Sequence, residues 1–382
     1  MNLIDTDEKL KDFCKILKKQ DFITVDSEFL REKSYYPYLC LLQIGYDGGS
    51  AIVDPIAKVD LSPFFDVLQD EKIVKVFHAG RQDVEIFYNL TGELPQNIFD
   101  TQIAAMVCGF GENVSYGNLV KEICGVELDK SCRLTDWSFR PLDEEQLEYA
   151  LHDVTYLVDC YKFLLKNMQQ NNRLDWIKEE TSEIYDLKHY QINPEDMWHK
   201  IKHNIHSSQF LSALKYLCMW REKRAQKFNT PRQSIIKDEV LINLASSRPR
   251  NQTELKMVRN IKCDVVNGRL GAEILEALED ARNNPLNDAE CRSDKQKETH
   301  VQRKDQSLLE MLRFLLKLLC YEQNIVTRLV ATEDDLRDFI YDEPTGIMQG
   351  WRYDIFGQFA EKLKNGELSI SYNPTDRKIE VR

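Results

Sequence analysis

The chain has 382 residues, 42% of them hydrophobic and 30% charged, with a formal net charge of −12. That composition suits a soluble globular protein of two or three domains; no apolar run approaches a membrane span, and "MNLIDTDEKLKDF" opens on acids where a signal peptide is basic and then apolar. Ten cysteines without a single Cys-x-x-Cys exclude a disulfide framework and the usual zinc motifs, and leave free thiols in a reducing cytoplasm as the expectation.

In chain order, "TDEKLKDFCKILKK" predicts an amphipathic helix with Thr6 as its N-cap. Strands are expected around 22–28, 38–46 and 50–54, then a short helix near 62–69 and a strand over 72–77. Gly80 opens a helix that carries Asp83, Glu85 and Ile86. Helical patterns continue through "FDTQIAAMVCG" and "YGNLVKEICG", and "DEEQLEYALHDVTYLVDCYKFLLKNM" forms a long helix ending near 170. Strands first, then strand mixed with helix, predicts an α/β domain with a mixed sheet over residues 1–170. After a connecting segment at 171–205, four helical patterns fill 206–286. Residues 287–304 lack apolar periodicity and read as a linker. A second helical block over 305–382 closes in a small hairpin around Asn373-Pro374.

The charge is unevenly spread. Residues 1–170 hold 17 Lys and Arg against 29 Asp and Glu, whereas residues 201–260 hold 12 against 4. An acidic front with a basic block behind it suits a protein that binds cations in one place and phosphates in another.

Within the acidic front, Asp26 and Glu28 stand two apart on a strand and point to one face, where like charges repel. Alone, such a pair also fits an exposed strand edge. Asp83, in "KVFHAGRQDVEIF", falls in the first turns of a helix, where an acid is also an ordinary dipole partner. His78, at the strand end, also fits a hydrogen-bonded structural role. Tyr149 and Asp153, in "EYALHDVTYL", are i and i+4 on one helical face; alone they also fit a core tyrosine and a solvated aspartate. Jointly, the four acids ask for counter-charge, and no Lys or Arg stands at a matching position. Hard divalent cations answer this with oxygen ligands, and two of them roughly 3.5–4 Å apart serve phosphoryl chemistry.

Asp26-x-Glu28, Asp83 and Tyr149-x-x-x-Asp153, in this order, resemble the DEDD exonuclease superfamily in its tyrosine-bearing subgroup. The strings "VDSEF", "YYPYLCLLQI", "FHAGRQDVE", "FDTQIAA" and "DKSCRLTDWSFRPL" are similar to the ribonuclease D family. "LKYLCMWREKRAQKFNTPRQSIIKDEVLINLA" resembles an HRDC domain, the helical module shared by RecQ-type helicases and ribonuclease D. The resemblance implies an RNase H-like α/β exonuclease domain over 1–170, an HRDC domain over 206–286 and a second HRDC-like helical domain over 305–382. It implies a monomer that hydrolyses RNA from the 3′ end to nucleoside 5′-monophosphates, tRNA precursors being the expected substrate, with two divalent ions, Mg2+ or Mn2+, as cofactors. In that scheme Asp26 bridges both ions, Glu28 and Asp153 complete one site, and Asp83 holds the second. Tyr149, a phenol with pKa near 10, orients the attacking water, and His152 has no role.

Expected substrate contacts are His78, Tyr35 and Tyr36 by stacking, and Lys130 and Arg133 on phosphate. The basic block would carry upstream RNA. His199, His203 and His206 have a zinc-like spacing but no partner cysteine or acid, and read as linker. Two other readings keep part of this picture. A DNA exonuclease would share the chemistry, though no G-x-x-x-x-G-K-[ST] loop supplies a helicase motor. A non-catalytic RNA-binding scaffold would be expected to lack one of the acids.

Overall fold

The computed structural model describes residues 3–129, 131–287 and 301–382. Lys130 and most of the expected linker, 288–300, lie outside the described residues.

Six strands form one mixed sheet: β1 (Leu3–Ile4), β2 (Phe22–Leu30), β3 (Tyr38–Tyr46), β4 (Gly49–Val53), β5 (Val74–Phe77) and β6 (Ile98–Asp100), in the spatial order β1-β4-β3-β2-β5-β6. β2 pairs antiparallel with β3 and parallel with β5, so it lies at the centre. β1 and β6 were not expected. Strands of two and three residues are too short to show alternation. β2 also runs further than expected, past an irregularity between Glu28 and Phe29 where its register on β3 shifts. Such bulges re-aim side chains at strand ends, and this one falls directly after the second carboxylate.

Helices α1 (Asp7–Leu17), α2 (Ser62–Gln69), α3 (Arg81–Thr91), α4 (Thr101–Val107), α5 (Tyr116–Cys124) and α6 (Glu144–Gln170) lie where the sequence patterns place them. Thr6 caps α1 by accepting from the Lys9 amide. A capping box between Asp143 and Gln146 starts α6, which at 27 residues spans about 40 Å. It crosses the sheet at Gly45 of β3. A Cβ there would lie 2.8 Å from the Val154 carbonyl oxygen and would collide with the Thr24 hydroxyl. Only glycine lets the helix lie this close, and the crossing brings the first half of α6 over the end of β2.

The connecting segment is not irregular: α7 (Leu174–Ile184) packs on α4 and β6. Beyond it stand α8 (Ser208–Phe228), α9 (Arg232–Ile235), α10 (Asp238–Ser247), α11 (Gln252–Lys256), α12 (Cys263–Asn267) and α13 (Arg269–Asn283), around a hydrophobic core of their own. A second helical group follows with α14 (Gln306–Gln323), α15 (Thr327–Val330), α16 (Glu333–Ile340) and α17 (Gln358–Lys364). Its core is continuous with that of the sheet domain. The hairpin β7 (Ile370–Asn373) and β8 (Lys378–Val381) closes the chain around Pro374, as expected.

The two helical groups begin alike. α8 ends at Asn229 and α14 at Asn324, both left-handed (φ 46° and 50°), and each is followed three residues on by a four-residue helix. Both asparagines also touch the sheet domain. Asn229 Oδ1 accepts from the amides of Tyr35 and Tyr36 at 3.0 and 2.9 Å. Asn324 Nδ2 donates to the Cys108 carbonyl at 3.3 Å.

Candidate active site

Asp26 and Glu28 reach from one face of β2, and Asp153 comes down from α6, one helical turn after Tyr149. The carboxylates of Asp26, Glu28 and Asp153 offer oxygens that all lie within 4.8 Å of one another. They line a cavity of about 430 Å³ together with Ser27, His78, Tyr116, Arg133 and Tyr149. Among the described residues this trio is the one group of three or more His, Cys, Asp or Glu with such geometry. His199, His203 and His206 therefore add no metal site there.

Asp83 stands beside the trio rather than within it. It lies in the first turn of α3, is 8% exposed, and accepts a hydrogen bond from the Ser27 hydroxyl, between the two strand carboxylates. Burial dominates the electrostatics of all four acids. It lifts Asp26 well above the usual carboxylate range, with Asp83, Asp153 and Glu28 adding repulsion. Burial, then Asp153 and Asp83, push Glu28 up to about 8. Asp83 and Asp153 rise to about 7, again chiefly through burial. No cation is among the groups that act on them. Four clustered acids, Asp83 buried and the other three half-buried, are unstable as anions without counter-charge, and a hard divalent cation is the partner that their oxygens fit.

Tyr149 is half-buried, its ring 6.0 Å from that of Trp137. Burial, then Asp153, Glu28 and Asp26, push its phenol above the ordinary value. It is protonated at any working pH and can donate a hydrogen bond.

The expected substrate residues divide. Arg133 is exposed and lines the cavity. His78 lines it too, but both ring nitrogens are engaged: Nε2 lies 3.0 Å from the Val114 carbonyl and Nδ1 3.0 Å from the Thr101 hydroxyl. The carbonyl can only accept, so Nε2 carries the hydrogen, and burial keeps the imidazole below its ordinary pKa. Tyr35 does not reach the cavity, which corrects the stacking role expected for it. It is 7% exposed, donates its hydroxyl to Glu222 of α8, and carries the Arg232 guanidinium 4.9 Å above its ring. Tyr36 packs edge-on against Tyr35 and does not line the cavity.

Sequence reading missed several supports. Ser27 was passed over between two acids. Arg140 pins the loop beneath Tyr149 by bonding both Asp54 oxygens at 2.7 Å and the carbonyls of Cys40, Trp137 and Phe139 at 2.8 Å. Asp100 lies within "FDTQIAAMVCG", where the helical pattern gives it no role of its own. The pairing of "FD" with a following Thr is the signal that could have marked it as a cap.

Residues 1–169 match the family model described as 3'-5' exonuclease, and residues 210–278 match the HRDC domain. The mixed sheet with its acidic trio is thus a 3′–5′ exonuclease domain, joined to an HRDC domain. Ribonuclease D of Bartonella henselae is 38% identical over 97% of this chain and 91% of its own length; that of Sphingobium indicum is 40% identical over 97% and 96%. The crystal structure of Escherichia coli RNase D, described as an exoribonuclease involved in structured RNA processing, superposes with a TM-score of 0.79 at 27% identity, covering 96% of this chain and 99% of that one. The chain belongs to the ribonuclease D family.

Proposed function

We propose that this 3′–5′ exoribonuclease shortens RNA tails by two-metal hydrolysis and trims the 3′ ends of tRNA precursors. The observation that carries the reading is the trio Asp26, Glu28 and Asp153 with Tyr149 one turn away on α6. Asp26, Glu28 and Asp153 would hold one divalent ion, and Asp26 with Asp83 the second. Such ions supply a water reactive at neutral pH and stabilise the leaving oxygen.

The remaining work falls to this chain's side chains. Tyr149 is too weak an acid to act as a base near pH 7, so its hydroxyl holds the attacking water in line with the terminal phosphorus. Water adds to phosphorus, the bond to the upstream 3′ oxygen breaks, and that oxygen leaves as a 3′ hydroxyl. Arg133 meets the phosphate at the cavity mouth. His78, with its nitrogens occupied, offers only a ring face. A cavity of about 430 Å³ suits a terminal nucleotide and excludes a duplex, which favours a single-stranded tail on a folded body.

Upstream RNA would pass along α8. Arg221, Arg224 and Arg232 are spent on Asp238, Glu273 and Glu222. Lys223 and Lys227 remain beside Trp220 and the half-exposed Phe228, in a groove of about 270 Å³. We take residues 305–382 as a second HRDC-type bundle, a reading supported by the matching Asn229 and Asn324 turns. No helix among the described residues is long and apolar enough to cross a membrane; the free described cysteines favour the cytoplasm.

The test uses RNA and DNA oligonucleotides of one sequence, labelled at the 5′ end, with the purified protein and magnesium or manganese. Stepwise loss from the RNA 3′ end, with 5′-monophosphates released and no turnover by Asp26→Asn, is the expected result. Equal degradation of the DNA strand would move the assignment to a DNA exonuclease.

A further inference from the structure

Between β5 and α3 the chain makes a turn that a run of L-residues does not adopt unaided. Ala79 is left-handed at φ 54°, a conformation costly for any residue with a Cβ. The turn is also tight: a Cβ on Gly80 would strike the Phe77 side chain. Asp100, 2% exposed at the end of β6, holds this turn. Its Oδ1 accepts from the amides of Ala79 at 3.0 Å and Gln102 at 2.8 Å, and its Oδ2 from the amide of Gly80 at 3.1 Å and the hydroxyl of Tyr185 at 2.5 Å. Thr101 adds to the grip: its hydroxyl, with one hydrogen to give, lies 3.0 Å from both the Phe77 carbonyl and His78 Nδ1.

A cap on α4 would need only the bond to Gln102. The other three bonds reach outside that helix, two to the turn and one to Tyr185. Tyr185 directly follows α7, in the stretch that neither family model covers. Its ring is buried in the core. Asp83 comes three residues after Gly80, so the angle at which α3 leaves this turn sets where that carboxylate meets Ser27.

We infer that Asp100 and Tyr185 are positioning residues of the active site: Asp100 gathers the amides of Ala79 and Gly80, the Tyr185 hydroxyl completes its set of donors, and together they fix the approach of Asp83. The inference rests on reading Asp83 as a metal ligand. Losing a donor leaves a buried carboxylate oxygen under-satisfied, and here that oxygen is the one that also holds the Gly80 amide. It also means that the connecting segment, and not the sheet domain alone, completes the site.

Tyr185→Phe in the full chain separates positioning from packing, because the ring stays and only the hydroxyl goes. Groups that support metal ligands typically contribute about 10–100-fold in metal affinity or activity. We expect kcat on single-stranded RNA to fall by that order with KM within about twofold. Manganese binding to the free protein, followed by electron paramagnetic resonance, should weaken, and the Ala79 and Gly80 amides should exchange faster with solvent. Asp100→Asn should show the same changes, larger. A Tyr185→Phe protein with unchanged manganese binding and unchanged amide exchange overturns the inference, whatever its rate. Asp83→Asn is the control: if it keeps full activity and full manganese binding, the reading of Asp83 fails first, and the inference with it.

Discussion

Thr24 Oγ1 donates to the Val154 carbonyl at 2.8 Å, fastening α6 to β2 across 130 residues of sequence. The bond lies two residues before Asp26 on the strand and one after Asp153 on the helix. It therefore sets the spacing of the acidic trio. Gly45, opposite Thr24 in the strand pairing, leaves room for the approach. Gly45→Ala should lift α6 from the sheet at a cost of about 1–3 kcal/mol, as overpacking does, and should lower activity more than its loss in thermal midpoint accounts for. Thr24→Val, which puts a methyl where the hydroxyl meets the Val154 carbonyl, should cost about 1–3 kcal/mol. Denaturant unfolding beside single-turnover rates checks both. Full activity in a folded Gly45→Ala protein would show that the crossing does not govern the trio.

The raised acids give the metal-free protein a defined pH dependence. Their unfolded values lie near 4, whereas Glu28 titrates at about 8, Asp83 and Asp153 at about 7, and Asp26 well above its usual range. Between roughly pH 4 and 8 the folded state thus binds more protons than the unfolded one, and stability falls as pH rises. In chelator, the thermal midpoint should drop as pH climbs from about 5.5 to 8.5. Asp26→Asn should flatten that slope and match or exceed the wild type in stability at pH 8. Metal binding must displace these protons, so calorimetry in buffers of different ionisation enthalpy should report proton release. A metal-free midpoint that rises through this window in step with the variant's would contradict the assigned shifts.

Tyr35 gives a different expectation. Its hydroxyl bonds Glu222, which is 1% exposed and also paired with Arg232. The loop between β2 and β3 is thereby tied to the HRDC domain. Tyr35→Phe should leave the rate on short single-stranded RNA within about twofold, since the ring does not reach the cavity. It should loosen the domain contact by about 1 kcal/mol, the usual worth of a hydrogen bond, seen as faster proteolysis between 190 and 207. A large loss on short RNA with intact docking would give the Tyr35 hydroxyl a part in the reaction, which its place on Glu222 does not predict.

These cases also mark what the amino-acid sequence could disclose. Helices with caps and an apolar face, such as α1 and α6, are legible because their signals are local. The acids were legible as a set because four uncompensated carboxylates are costly anywhere. The burial of Tyr35 was not, since its partner Glu222 lies 187 residues away and an aromatic in a polar loop reads equally as exposed. β1 and β6 are too short to carry a period, and the apolar face of the helix after residue 173 is broken by Glu180, buried on a distant Arg352. The sequence around Asp100 carries an unread cap signal but nothing that marks it as the holder of a distant turn. The matching left-handed turns at Asn229 and Asn324 belong to backbone geometry, which side-chain pattern does not express.

Tyr149 separates water positioning from packing. Its phenol is held protonated by burial and by Asp153, Glu28 and Asp26, so it can orient a water but cannot take its proton near neutral pH. Tyr149→Phe keeps the ring against Trp137 and removes only the hydroxyl. Manganese binding should persist because the three carboxylates are untouched, and affinity for RNA should change little. The chemical step should slow by about 10²–10⁴-fold, the range for losing a group that positions or transfers a proton. Because the phenol is not the titrating group, the pH profile of the residual rate should keep the wild-type shape. Single-turnover rates at saturating RNA and magnesium, taken across pH, measure both. A rate near wild type would remove Tyr149 from the mechanism, and a lost basic limb would make it the base after all.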